Sequence, residues 1–354
     1  MEPITFGLVG TGWRAAFYER IAAALPDRFR LTGTLSRRAA ASSGSPERRL
    51  RSTLDELLAD QPSFVVLAVP WTAMPDLIAE LVGRGVAVLA ETPPAPDLDG
   101  LRALGRLADA GGRVQVAEQY RFQPLHAARL ALVASGRLGT ISQAQLSVAH
   151  GYHGIDLLRR FLGIGSEPVT ITARRFSSPI VAGPGREGPP TSERLIQAEQ
   201  VIATFELADR LGILDFTDEQ YFSWIRGLRV LVRGERGEID GHAVRWLADV
   251  RTPVRLTLER HDTGQDGNLE GHYLEGITAG AEWLYRNPFA PARLTDDEIA
   301  VATCLAGMPA AIAGGPDVCS LADAAQDRYL DLCVGDALAR GAPVLVQRHV
   351  WEGG

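Results

Sequence analysis

Apolar residues in the first third of the chain fall into short continuous runs, and each run is followed by a longer segment with the period of an amphipathic helix. The runs are ITFGLVG, FRLTGTLS, FVVLAVP, VAVLAE and VQVAEQ. Continuous apolar strands rich in β-branched residues are typical of a parallel sheet that is covered by helices on both faces. The pattern therefore predicts a doubly wound α/β domain over residues 1–122.

Near residue 122 the pattern changes to longer strands in which apolar and polar residues alternate. Examples are TISQAQLSVAH, VTITARRF, QVIATFELA, RLGILDFT and LRVLVRG. Alternation predicts a sheet with one covered and one open face. For residues 123–354 we therefore expect an α+β domain with a large, open, mainly antiparallel sheet. The Gly/Pro/Ser-rich segment SSPIVAGPGREGPPTSER predicts a long loop between two of its strands.

A glycine-containing loop joins the first predicted strand to the first predicted helix. Its residues Gly10, Gly12 and Ala15 form the pattern GxGxxA. The first glycine permits a tight turn, the second lets the backbone approach a pyrophosphate, and the alanine permits close helix packing. Because a helix N-terminus attracts anions, we expect a Rossmann dinucleotide site formed by Gly10, Thr11, Gly12, Trp13 and Arg14. The alternative is a glycine-rich turn without a ligand.

The end of the second strand bears on which dinucleotide would bind. An NAD site usually has a carboxylate there for the ribose 2′-hydroxyl, but this chain has Ser36, Arg37 and Arg38. A hydroxyl and an arginine fork suit a 2′-phosphate, which a carboxylate would repel. NADP is therefore expected, and NAD is the second possibility. The alternative is that the arginines only solvate a surface turn.

The composition limits the classes of partner. The chain has 354 residues, 46% hydrophobic and 22% charged, with a net charge of -7. These values are ordinary for a globular protein, and an acidic chain disfavours nucleic acid and anionic membranes. The three cysteines lack CxxC spacing, so we expect neither a disulfide framework nor a metal site. With no signal peptide and no apolar run near ~18 residues, a cytoplasmic protein with a small-molecule partner is expected.

Several segments, in order and spacing, resemble the Gfo/Idh/MocA family of glucose–fructose oxidoreductase, inositol dehydrogenase and rhizopine catabolism. They are FGLVGTGWRAAFY, LAVP, AETPPAP, EQYRFQP, HGIDLLRRFLG and GAPVLVQRHVW. The resemblance implies a Rossmann domain followed by a domain with a large open sheet, which makes the oligomer contacts in relatives. It also implies a polyhydroxylated substrate, such as a sugar or cyclitol, and a homo-oligomer, either a dimer or a tetramer.

Two positions depart from the family pattern. The family usually has Glu-Lys-Pro where this chain has Glu91, Thr92 and Pro93, and its lysine contacts the nicotinamide and the reacting oxygen. Relatives also often have an aspartate where this chain has Ala149. A threonine hydroxyl can form hydrogen bonds but is too weak an acid to replace lysine near pH 7. The turn is therefore expected to bind cofactor, while the proton chemistry has moved elsewhere.

His153 is the first candidate for that chemistry. It opens the helix GIDLLRRFLG, where the positive end of the helix dipole favours a neutral imidazole, and the resemblance places this histidine in the active site. His150 and Tyr152, on the loop leaving the preceding strand, are candidates to supplement or replace His153 in this role. The alternative is that Tyr152 packs on the sheet and His150 is exposed. Asp156 either orients the His153 ring or caps the helix.

The remaining candidates line the expected cleft. Tyr120 and Arg121 follow the domain junction and are candidates for substrate binding, with an interdomain salt bridge as the alternative for Arg121. Trp71 either stacks on the nicotinamide or a sugar, or belongs to the core. The cofactor-side residues expected beyond the glycine loop and the second strand are Val69, Pro70, Trp71, Glu91, Thr92, Pro93 and Gln119.

The function expected is NADP-dependent hydride transfer to or from a secondary alcohol or ketone of a sugar, cyclitol or derivative. One alternative is a redox-neutral enzyme, in which a bound cofactor oxidises the substrate transiently and returns the hydride. A second is a sensor or scaffold that binds the dinucleotide without catalysis, which the two departures from the family pattern favour.

Overall fold

Six parallel strands form the N-terminal sheet. The structure is a computed structural model that describes residues 2–36, 49–267 and 270–346. The strands are β1 (Ile4–Val9), β2 (Phe29–Leu35), β3 (Leu50–Arg51), β4 (Phe64–Leu67), β5 (Val88–Ala90) and β6 (Val114–Val116). Their order is β3-β2-β1-β4-β5-β6, with every pair parallel. The order reverses between β1 and β4, where open α/β sheets bind ligands at the carboxyl ends of their strands.

Four helices alternate with these strands. They are α1 (Ala15–Ala24), α2 (Leu54–Ala59), α3 (Met74–Gly83) and α4 (Leu98–Asp109). All four residues of β4 are buried, as expected for a strand that is covered on both faces. The Thr53 side chain caps α2, and the Asp97 side chain caps α4. The doubly wound parallel architecture expected from the apolar runs is confirmed.

The second sheet has eleven strands in the order β16-β15-β14-β13-β12-β11-β7-β10-β9-β8-β17. These are β7 (Ile141–Ser147), β8 (Thr170–Val181), β9 (Leu195–Glu206), β10 (Leu211–Thr217), β11 (Arg229–Gly234), β12 (Gly237–Asp240), β13 (Ala243–Asp249), β14 (Thr252–Thr263), β15 (Tyr273–Ala279), β16 (Glu282–Arg286) and β17 (Val344–Leu345). The β7–β10 pair is parallel, and the other described pairs are antiparallel. The predicted large, mainly antiparallel sheet is confirmed.

The loop expected over SSPIVAGPGREGPPTSER is shorter than the composition suggested. β8 continues to Val181 and β9 begins at Leu195, so the connection is residues 182–194. Residues 177–181 pair in register with 195–199, and these ladder hydrogen bonds outweigh their Ser- and Pro-rich composition.

Four more helices complete the fold. They are α5 (Pro124–Ala134), α6 (Gly151–Leu162), α7 (Asp296–Ile312) and α8 (Leu321–Arg340). α7 packs against α1 and β1 of the N-terminal sheet, and α8 packs against α4, α6 and β8. The last helices in the sequence therefore join the two sheets, and the division at residue 122 stays a prediction.

Candidate active site

The glycine loop has the geometry that a dinucleotide needs. Gly10 has φ +124°, and a Cβ there would lie 2.2 Å from the carbonyl oxygen of Ala68. A Cβ on Gly12 would meet no atom within 4 Å, so space remains directly before α1. Ala15 is fully buried. The loop thus combines a turn that requires glycine with open space at a helix N-terminus, which fits a pyrophosphate.

Arg14 lies in this loop, but its guanidinium points inward. Its Nε donates to Glu91 Oε1 at 2.8 Å, and its Nη1 donates to Asp297 Oδ2 at 2.9 Å. The fully buried Tyr18 hydroxyl also donates to Glu91 Oε1, at 2.5 Å. Arg14 and Glu91, both expected to contact cofactor, are therefore paired with each other, and they tie α1 to the turn after β5 and to α7.

The other expected cofactor residues lie at the carboxyl ends of the strands. Val69 and Pro70 follow β4, and Thr92 and Pro93 follow β5. Trp71 is 46% exposed, with the guanidinium of Arg328 at 5.2 Å from its ring centre, so the alternative of a core tryptophan is wrong.

Gln119 and Ser36 lie at the ends of two further strands. The Oε1 atom of Gln119, three residues beyond β6, is buried and has no hydrogen-bond partner in the described chain. A buried unpaired oxygen at this edge fits a ligand amide as its partner. Ser36 directly follows β2 and is buried. Arg37 and Arg38 lie outside the described residues.

His153 forms a buried pair with a residue that sequence reasoning missed. Its Nδ1 lies 2.7 Å from Glu118 Oε2 and 2.9 Å from Oε1, and Glu118 is 2% exposed. The backbone N–H of Tyr120 also donates to Glu118 Oε1, at 3.2 Å. Asp156, the expected partner of the ring, bonds to arginines instead. Glu118 could have been identified from the sequence by its position just beyond the carboxyl end of β6, because functional side chains of parallel sheets often lie at such strand ends.

Burial disfavours charge on either member of this pair. It is the largest cause lowering the pKa of His153 to about 4, with the nearby Arg14 charge next. Burial, followed by the charge of Asp156, raises the pKa of Glu118 well above its usual value. The expectation of a neutral imidazole fits, but its main cause is burial rather than the helix dipole.

The protonation of Glu118 sets the role of the other imidazole nitrogen. A protonated Glu118 donates to Nδ1, so Nε2 carries the proton of the neutral ring. An ionised Glu118 accepts from Nδ1–H, which leaves the Nε2 lone pair free as a base. The pair can therefore present either a donor or an acceptor.

Two tyrosines and a second histidine surround His153. The ring centres of Tyr120 and Tyr152 lie 4.6 Å and 4.5 Å from that of His153. His150 Nδ1 lies 2.6 Å from the hydroxyl of Tyr221, and His150 Nε2 lies 3.5 Å from that of Tyr152. Tyr221, which no sequence pattern singles out, thus joins the site.

The positions of Tyr152 and His150 differ in part from expectation. Tyr152 lies in the first turn of α6 rather than on a loop, while His150 is the N-cap residue. The Tyr152 ring contacts both imidazoles instead of only packing on the sheet, and its hydroxyl interacts with Thr92. His150 is exposed as a residue, as the alternative expected, although its ring contacts Tyr152, His153 and Tyr221.

Arg121 shows the salt bridge that was its alternative. Its guanidinium pairs with Asp156, which is fully buried, and lies 3.4 Å from Cys319 Sγ and 3.9 Å from Asp323. Arg160 pairs with the same two aspartates. The charge of Arg121 is therefore balanced inside the protein, where these ion pairs join the short 3₁₀ turn of residues 120–122 to α6 and α8.

Neither a cluster of metal-ligating side chains nor a membrane-spanning helix is found in the described part of the chain. In residues 2–36, 49–267 and 270–346, no group of three or more His, Cys, Asp and Glu side chains is arranged to hold a metal ion. Within the same ranges, no helix is both long and apolar enough to cross a membrane.

A doubly wound parallel sheet with its glycine loop at the switch point is the arrangement of a nicotinamide-dinucleotide-binding domain. Residues 4–119 match the family model GFO_IDH_MocA, described as an oxidoreductase family with an NAD-binding Rossmann fold. This match covers the parallel sheet and its helices, so residues 4–119 are similar to the NAD-binding domain of that family.

Individual proteins are similar to longer parts of the chain. The chain is 28% identical over 201 residues to myo-inositol dehydrogenase Hyg17 of Streptomyces leeuwenhoekii, a match that covers 53% of this chain and 61% of that protein. An oxidoreductase domain protein from Kribbella flavida shares the fold with a TM-score of 0.70 at 18% identity, over 98% of this chain and 100% of that one. A levoglucosan dehydrogenase in complex with NADH aligns with a TM-score of 0.69 at 15% identity, over 98% and 100%.

Proposed function

We propose that this protein is an NADP-dependent oxidoreductase that transfers hydride to or from a secondary alcohol or ketone of a sugar, cyclitol or derivative. The observation that carries the proposal is the buried His153–Glu118 pair, whose neighbour Tyr152 interacts with Thr92, the position of the family lysine. Support for the substrate class comes from the similar proteins, which include a myo-inositol and a levoglucosan dehydrogenase.

The residues of this chain would supply the proton and the orientation. A bound nicotinamide supplies the hydride acceptor or donor. With Glu118 ionised, His153 Nε2 accepts the proton of the substrate hydroxyl. With Glu118 protonated, Nε2–H donates a proton to the substrate oxygen in the reverse direction. Glu118 thus sets the direction of proton movement through the tautomer of one ring.

Tyr152 would take over the hydrogen bond that lysine makes in relatives. Burial and then the charge of Glu118 raise the pKa of Tyr152 above its ordinary value. Its hydroxyl therefore stays protonated near pH 7 and acts as a hydrogen-bond donor to the substrate oxygen rather than as a base. His150 Nε2 lies 3.5 Å from that hydroxyl, and the Tyr221 hydroxyl holds the His150 ring at Nδ1, at 2.6 Å.

The preference for NADP rests on residues 36–38. The sequence has a serine and two arginines where NAD-preferring sites usually have a carboxylate. We expect NADPH to bind at least about tenfold more tightly than NADH, since charge-assisted bonds to a 2′-phosphate contribute about 1.5–3 kcal/mol. Fluorescence titration of both reduced cofactors measures the ratio. A ratio near one or below would contradict the preference.

A substrate panel tests the reaction. Wild-type protein is incubated with NADP⁺ or NAD⁺ and a set of sugars and cyclitols, and absorbance at 340 nm is followed. The proposal predicts net cofactor reduction with at least one of these polyols. Cofactor that stays bound through purification, with substrate conversion but no net absorbance change, would favour the redox-neutral alternative. Cofactor binding with no conversion of any compound would favour a sensor or scaffold.

We also propose that copies of the chain join through the large sheet. Its strands β8 and β9 expose apolar side chains, among them Phe176, which is 57% exposed, and Ile202, which is 40% exposed. Light scattering coupled to gel filtration should give the mass of a dimer or tetramer. A monomer at micromolar concentration would contradict this assembly.

A further inference from the structure

The connection between β8 and β9 has a defined tip. We call residues 182–194 the strap. Within the strap, Gly185 and Gly188 exchange two backbone hydrogen bonds, each 3.0 Å long, and Gly188 has φ +102°. This pattern closes a two-residue hairpin turn with Arg186 and Glu187 at its tip. Arg186 is thus presented by a turn with fixed geometry, although its side chain is exposed.

The strap reaches the glycine loop of the other sheet. The Arg186 guanidinium lies over the ring of Trp13, with its central carbon 4.1 Å from the ring centre. Trp13 follows Gly12 directly, is 54% exposed, and packs edge-on against Phe17 of α1. A guanidinium held over the face of a tryptophan does not use its N–H groups for that contact, so they stay available to bind a ligand.

Arg186 differs from Arg14 and Arg20, which also lie near this loop, because each of those arginines forms an ion pair with a carboxylate. Arg14 is paired with Glu91 and Asp297, and Arg20 is paired with Glu298. Arg186 forms no ion pair with any residue in the described part of the chain. Among the described arginines near this loop, Arg186 is therefore the one without a carboxylate partner in residues 2–36, 49–267 and 270–346.

The strap also lies close to the proposed proton site. Burial is the largest cause that lowers the pKa of His150, the charge of His153 comes next, and the charge of Arg186 lowers this pKa by a smaller amount. A Cβ on Gly183 in the strap would lie 3.9 Å from Ser223, two residues after Tyr221. Arg186 thus contacts the glycine loop and is close enough to the histidine–tyrosine cluster for its charge to act on His150.

We propose that the strap covers the bound dinucleotide and that Arg186 binds its pyrophosphate from the side opposite the N-terminus of α1, with Trp13 holding the guanidinium in place. This inference rests on the proposed function, because it requires the dinucleotide to occupy the glycine loop. Arg186, which lies between β8 and β9 of the eleven-stranded sheet, would then help to hold the cofactor in position. The two phosphates would be held by backbone N–H groups on one side and a planar cation on the other.

The test compares cofactor affinities of the wild type, Arg186→Ala and Arg194→Ala. Arg194 belongs to the same strap but is not among the cations on Trp13, so its variant controls for general loss of charge. We expect Arg186→Ala to weaken NADH and NADPH by the same factor, about 10-fold to 100-fold, and Arg194→Ala to change neither by more than about twofold. The pyrophosphate is common to both cofactors, which is why the factors should match.

Other outcomes overturn the proposal in distinct ways. Unchanged affinity for both cofactors would remove Arg186 from the site, and a loss confined to NADPH would assign it to the 2′-phosphate instead. If the wild type binds neither cofactor, the proposed function itself fails.

Limited proteolysis of the wild type provides a second test. NADPH should slow tryptic cleavage after Arg186 several-fold and leave cleavage after Arg233, on strand β11, unchanged. Equal cleavage rates at Arg186 with and without NADPH would contradict a strap that closes over the cofactor.

Discussion

Replacing Glu118 with glutamine tests the proton mechanism with little change in shape. The glutamine amide can still reach His153 Nδ1, which lies 2.7 Å from Glu118 Oε2 in the wild type. It can either accept from Nδ1–H or donate to Nδ1, so it no longer fixes the tautomer of the ring. It also cannot ionise. Glu118→Gln therefore removes the switch that frees or protonates Nε2, while the surrounding packing stays in place.

The size of the effect follows from the role that this pair would play. A positioned general base contributes about 10²-fold to 10⁴-fold to a rate. Because glutamine still permits the productive tautomer part of the time, we expect kcat/KM for alcohol oxidation to fall about 10²-fold to 10³-fold, or about 3–4 kcal/mol. Affinity for the dinucleotide should stay within about twofold, since neither residue of the pair lies in the glycine loop.

The pH profile gives the sign of the effect. The pKa of Glu118 is raised by burial, and Nε2 is a free base only after this carboxyl ionises. Wild-type oxidation should therefore speed up as pH rises through that raised pKa, and ketone reduction should slow down over the same range. Glu118→Gln should remove the pH dependence of both the oxidation rate and the reduction rate. The assay is absorbance at 340 nm in both directions from about pH 5 to 9, with Glu199→Gln as a surface control.

Nitrogen-15 NMR of labelled histidine checks the same reasoning without a substrate. It should show His153 of the wild type changing from the Nε2–H to the Nδ1–H tautomer as pH rises, and no such change in Glu118→Gln. A wild-type profile without a pH-dependent limb, or a variant whose profile and rate equal those of the wild type, would refute the role of Glu118.

Three further substitutions test the cofactor loop and the site. Gly10→Ala should lower the melting temperature and abolish dinucleotide binding, because the new Cβ would lie 2.2 Å from a carbonyl oxygen at φ +124°; normal binding by titration would contradict this. Glu91→Gln should reduce the free energy of unfolding in urea by about 2–3 kcal/mol, since Arg14 loses one of its two carboxylate partners; an unchanged urea midpoint would oppose it. Tyr152→Phe should lower kcat about tenfold with unchanged cofactor affinity; an unchanged kcat would exclude its hydroxyl.

The architecture could be predicted from the sequence because it depends on local periodicity. The uninterrupted apolar run FVVL forms a strand buried along its whole length, and the GxGxxA pattern forms the turn before α1. The end of β8 was misplaced because ladder pairing, which composition does not reveal, extends the strand to Val181.

The partners within the site could not be predicted, because they are distant in the chain. Glu118 and His153 are 35 residues apart: Glu118 lies at a strand end of one sheet, and His153 lies in α6, which packs on β7 and β10 of the other sheet. The same separation hid the pairing of Arg121 with Asp156. The position of Glu118 at a strand end could have identified it. No spacing rule links Tyr221 to His150 or Arg186 to Trp13, because those contacts form only when the chain folds.

The most direct test of the proposed reaction compares His153→Ala with the wild type, using the cofactor and polyol that turn over best. His261, on β14 and hydrogen-bonded to Thr278, provides the control His261→Ala. We predict that His153→Ala lowers kcat at least about 10²-fold while its dinucleotide affinity stays within about twofold, and that the control keeps its rate. A His153→Ala enzyme that turns over at the wild-type rate would contradict the assignment of this histidine as the proton-transferring group.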